Sequence, residues 1–129
     1  MNKLDKESVI GISALLVHAA NIDEIYSDHE KDLVKDFIKS YLKNEDASKI
    51  LKEAEEIENN SNQLINYTNV IKKNSLEIKK DIIEHLWKVI ISDNSVDQYE
   101  ANLMRRICGL IYFPDKESAE IKLRLINSK

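Results

Sequence analysis

Laid over itself with a displacement of seventy residues, the chain places Ile12 on Ile82, Leu16 on Leu86, Asp23 on Asp93, Glu30 on Glu100 and Leu33 on Leu103 without a gap. Apolar positions agree more widely, Val17 with Trp87, Ala19 with Val89, Val34 with Met104, Phe37 with Ile107 and Ile38 with Cys108. Identity is low; what is kept is register. Two copies of one helical pair must therefore bury their apolar faces together, which restricts the fold to pseudo-symmetric packing.

The remaining text agrees with helices. Only two glycines, Gly11 and Gly109, and one proline, Pro114, punctuate the chain, too few breakers for a turn-rich β-sandwich. At 129 residues and 14.9 kDa it has the size of one domain, residues 1–129. The expected architecture is all-α, a single compact bundle of about six to seven helices carrying an internal pseudo-symmetric helix-pair repeat.

The first helix is expected from Asp5 to Ile22 and the second from Ser27, with Leu33, Val34, Phe37, Ile38, Tyr41 and Leu42 facing inward. A third, from Asp46 to Glu58, presents Ile50, Leu51, Ala54 and Ile57 on its apolar face and its acidic residues outside. Asn59 to Gln63 reads as a turn, followed by a shorter helix with Leu64, Ile65, Val70 and Ile71. Asn74 with Glu77 has the spacing of a cap ahead of the fifth helix. There Ile82, Ile83, Leu86, Trp87, Ile90 and Ile91 leave little polar circumference, which marks it as the expected central helix. A sixth helix runs from Asp97 to Ile111, Pro114 stops it, and a short last helix passes through Ile121, Leu123, Leu125 and Ile126.

A formal charge of −4, from 19 basic and 23 acidic residues, argues against a nucleic-acid binder. The pairs Lys72-Lys73, Lys79-Lys80 and Arg105-Arg106 read as solvated helix faces. Cys108 is the single cysteine, so no internal disulfide forms; among Met104, Ile107 and Ile111 it reads as a buried small hydrophobe. The first twenty residues are expected not to be a signal peptide, since Asp5, Glu7 and His18 break the pattern. No run approaches the roughly eighteen apolar residues of a bilayer span, so no membrane insertion and a cytoplasmic location are expected.

Acidic residues cluster where each helical pair bends. Ser27 with Glu30, and Asp97 with Glu100, have capping-box spacing, in which the first side chain accepts from an amide three residues on and the glutamate reaches back. The accompanying hydrophobic staple is poorly matched, since Tyr26 would face Lys31, and Val96 only Ala101. Asp23 and Asp93 lie in phase with the apolar stripes at helix C-termini, where a negative charge opposes the macrodipole. Loop amides and the next helix N-terminus would compensate that charge, or a cation shared with Glu30 or Glu100 would.

An alanine-rich apolar helix, Asp, six residues, Glu, then a leucine-containing helix, present twice and clearest in "LWKVIISDNSVDQYEANLMRRICGLI", resembles the tellurite-resistance protein B-like (TerB-like) family. The resemblance covers about Ile10 to Leu125. It implies an all-helical pseudo-symmetric domain, metal association through Asp23, Glu30, Asp93 and Glu100, and a place beside stress-response proteins, with no defined catalytic activity. The family's glycine after each aspartate is absent. Asn94 tolerates the left-handed conformation and Glu24 less so, which predicts a different backbone path in the first loop.

The expected function is a small binding or regulatory module with a protein partner, a second copy of the chain included. The alternative is a divalent-cation sensor built on the two Asp-x6-Glu loops, its hard oxygen ligands suiting calcium, magnesium or manganese; the fold itself requires no cofactor. Catalysis is not expected. His18, His29 and His85 are scattered, none follows a glutamate at di-iron spacing, and no phosphate-cradling loop is present. His18 reads as a packed or half-exposed ring, His29 as exposed, and His85 with Asp81 as a pair on one helix face.

Overall fold

A computed structural model describes residues 4–21, 27–60, 64–91 and 98–127, the last two stretches with side chains from Thr68 and Ala101 onward. Among the described residues there are seven helices and no strand: α1 (Lys6–Ala20), α2 (Asp28–Tyr41), α3 (Ala47–Asn60), α4 (Leu64–Lys72), α5 (Leu76–Ile90), α6 (Gln98–Ile111) and α7 (Asp115–Asn127). The all-α bundle expected from periodicity is the fold observed.

The repeat holds at the level of helix ends. Moving α1 by seventy residues gives the bounds of α5, and moving α2 gives those of α6. The caps follow: Asp5 and Ser75 are the N-caps of α1 and α5, and Asn21 and Ile91 their C-caps. Asp5 accepts from the amide of Ser8 at 2.7 Å, and Ser75 Oγ from that of Ile78 at 3.4 Å. Asn74, read above as this cap, instead donates from Nδ2 to the carbonyl of Val70 at 2.7 Å and closes α4. The error arises because Asn74 and Ser75 are both good capping residues, and only the repeat distinguishes them.

α1, not α5, is the central helix. It touches α2, α3, α4 and α5, and from Ile12 to Ala20 only His18 escapes burial. α5 carries larger apolar residues but also Lys79, Lys80, Glu84 and Lys88, which keep one side open. In α1 the small residues Ala14, Ala19 and Ala20 let neighbours approach from several directions, and size mattered less than the missing polar stripe.

α3 buries Ala47, Ile50, Leu51 and Ala54 against the bundle, yet Ile57, in phase with them, is 39% exposed. The apolar stripe continues past its cover, contrary to expectation. In α7 Ile121 is buried, while Leu123 and Ile126 are exposed. α6 ends in Tyr112 at φ 60°, and the amide of Phe113 donates to the carbonyl of Cys108 at 2.9 Å, the six-to-one bond of a Schellman cap with a non-glycine residue at the left-handed position. Lys72 Nζ lies 4.8 Å from the Tyr112 ring centroid.

Candidate functional site

Of the four carboxylates singled out above, Glu30 is the one whose surroundings are described. α2 begins with the expected capping box: Ser27 Oγ accepts from the amide of Glu30 at 3.2 Å, and the amide of Ser27 donates to Glu30 Oε1 at 2.8 Å. Ser27 Oγ also lies 3.1 Å from the same oxygen. Glu30 is 8% exposed, so its carboxylate is fixed at the mouth of the first bend and not free in water. Asp23 and Asp93 lie outside the described residues, as does Asp97. Glu100 is placed in the first turn of α6 without a described side chain. Among the described residues no three His, Cys, Asp or Glu side chains are grouped to hold a metal ion. The expected sharing of a cation by Asp23, Glu30, Asp93 and Glu100 therefore falls outside what the structure describes.

Beside the first bend stands a carboxylate that the sequence reading assigned to the outer face of α3. Glu58 Oε1 lies 3.4 Å from His18 Nδ1, and Glu58 Oε2 accepts from Asn21 Nδ2 at 3.3 Å. α3 thereby reaches the C-terminal end of α1. Val17, Asn21, Lys31, Glu55 and Glu58 border a cavity of about 320 Å³ there. Local spacing could not have revealed this contact, because His18 and Glu58 are forty residues apart and meet only through the α1–α3 packing.

A second polar group joins α2 to α5. Tyr41 donates its hydroxyl to Asp81 Oδ2 at 2.6 Å, and His85 Nε2 lies 3.6 Å from Asp81 Oδ1. Phe37 meets the rings of both Tyr41 and His85 with centroids 5.1 Å apart. Burial, then the hydrogen bond and charge of Asp81, push the Tyr41 phenol far above its ordinary range. His85 is pushed below its ordinary value by burial; Asp81, Glu84 and Asp36 oppose this and Lys88 adds to it. A tyrosine that keeps its proton and an imidazole held neutral make a structural tie between helices.

The helical text, the duplicated bend and the capped glutamate coincide with a family pattern: the model for "Tellurite resistance protein TerB" matches residues 10–123. The chain belongs to the TerB family. No curated protein and no solved structure matches it. The TerB match runs from α1 into α7 and spans both helical pairs. No described helix is long and apolar enough to cross a membrane.

Proposed function

We propose that this TerB domain is a non-catalytic, cytoplasmic binding and regulatory module that takes its place in a stress-related protein assembly. The reading is supported most by how the polar side chains inside the fold are used. Glu30 caps a helix, Trp87 and Ser118 tie α5 to α7, and Tyr41, Asp81 and His85 tie α2 to α5. Each stiffens the scaffold, and although Trp87 and Ser118 also border a surface cavity of about 300 Å³, their polar atoms are spent on each other across α5 and α7. A rigid body of this kind suits recognition by its surface. Affinity capture from cells with the full chain tests it: a reproducible protein partner is expected, and failure to retain one under gentle washing removes the reading.

A second reading is favoured by the fixed carboxylate of Glu30. Held by an amide and a hydroxyl at a bend, it would meet a divalent cation without losing side-chain freedom on binding. Asp23, Asp93 and Glu100 would complete the ligand set of a calcium, magnesium or manganese sensor. Calorimetric titration of the metal-free protein distinguishes the two. Heat at micromolar ion that disappears in Asp93→Asn establishes the sensor; no heat and no change in melting temperature at millimolar ion removes it.

A further inference from the structure

We propose that the groove between α1 and α3 binds a basic amphipathic helix of a partner protein, a reading that rests on the binding-module function and locates its surface. The groove is open to solvent and has a volume of about 570 Å³. Ile10, Gly11 and Ile57 form its apolar part, and Glu7, Glu53 and Glu56 stand around them with no lysine or arginine in the lining. It is the place where the apolar stripe of α3 outruns its cover at Ile57.

Gly11 carries the second line of argument. Glycine is unfavourable in a helix interior, and among the described residues the packing gives no reason for it. Of these, a Cβ at position 11 would meet Val70 Cγ2 alone, at 3.9 Å, an ordinary contact. Gly11 lines the groove together with Ile10 and Ile57, so a larger side chain there would take up groove volume. The corresponding position in the second copy is Asp81, already engaged with Tyr41, so the feature belongs to the first copy alone.

Charge decides the occupant. An apolar strip flanked by three carboxylates is complementary to a helix with leucine-like anchors at helical spacing and lysine or arginine beside them. A second copy of this chain is disfavoured, because a twofold contact would set the same three carboxylates against each other.

The test uses a fluorescein-labelled eighteen-residue peptide with leucine at helical spacing and lysine elsewhere, titrated by anisotropy with the full chain. Gly11→Leu, filling the groove, and the pair Glu53→Lys with Glu56→Lys, reversing its rim, are each expected to weaken binding by about tenfold or more. The pair Asp32→Lys with Glu120→Lys makes the same charge change at exposed positions outside the lining and is expected to weaken it by no more than about twofold. Melting curves check that each variant is folded, and the two groove variants act independently. Absence of binding by the parent chain, equal loss in the Asp32 and Glu120 variant, or a dimer in sedimentation that Gly11→Leu dissolves would overturn the proposal. Its failure is separable from that of the module reading: a protein partner retained equally by the parent chain and by Gly11→Leu removes this groove and leaves the module in place.

Discussion

Trp87 donates its indole N–H to Ser118 Oγ at 2.9 Å, a buried bond that fixes α7 on α5 at one point where apolar packing alone would tolerate sliding. Lys122 completes the contact from above, its Nζ 5.3 Å from the indole ring. Ser118→Ala leaves the indole N–H without its partner and is expected to cost about 1–3 kcal/mol in urea unfolding. Thr in place of Ser should recover most of that loss, since it keeps the hydroxyl.

Ser13 presents the opposite case. Its hydroxyl is buried in the middle of α1 with no hydrogen-bond partner among the described residues. Replacing it by alanine removes an unpaired polar group and improves helix propensity, so Ser13→Ala should raise stability by about 1 kcal/mol, read as a higher denaturation midpoint at unchanged slope.

Gly11→Ala should also stabilise the chain, by about 0.5–1 kcal/mol, because the helix gains an alanine and the new methyl meets Val70 at ordinary distance. The two substitutions differ in consequence. Ser13→Ala is expected to leave binding of the basic peptide unchanged, whereas Gly11→Ala should weaken it, so stability and binding move in opposite directions at position 11 alone.

His85 gives a pH dependence with a defined sign. Burial holds its folded affinity for a proton below that of the unfolded chain, whose imidazole titrates near about 6.5. The unfolded state therefore binds the proton first as pH falls. Stability from this group is fully present above that range and declines as the medium is acidified through it. Unfolding measured at intervals from about pH 7.5 to 5 should show a steeper fall in the parent chain than in His85→Phe.

Glu30→Ala breaks the capping box at the start of α2 and should cost about 0.5–2 kcal/mol. Glu30→Gln keeps the hydrogen-bonding shape without the charge, and should fall between. Thermal unfolding of the three proteins side by side checks the order.

What the sequence made legible was whatever repeats or is local. Helix positions followed from periodicity, and the capping box at Ser27 and Glu30 from a three-residue spacing. Cys108 was read as buried from its neighbours, and its thiol is pushed up by that burial. Contacts between distant segments were not legible. Glu58 was assigned to solvent because α3 looks acidic there, and its reach to His18 and Asn21 depends on how α3 crosses α1. Ile57 was assigned to the core because its spacing is correct, but spacing reports which residues share a face and not how far the neighbouring helix covers it. Asn74 lost to Ser75 by one residue, within the usual latitude of a helix start. The four proposed ligands were legible as a pattern, and Glu30 as a cap.

Seven residues separate α1 from α2, and seven separate α5 from α6. Since each residue turns a helix by about 100°, one residue inserted between Met104 and Ile107 would swing Ile107, Cys108 and Ile111 off the buried side of α6, so the second pair can trade side chains with less harm than it can gain a residue inside a helix.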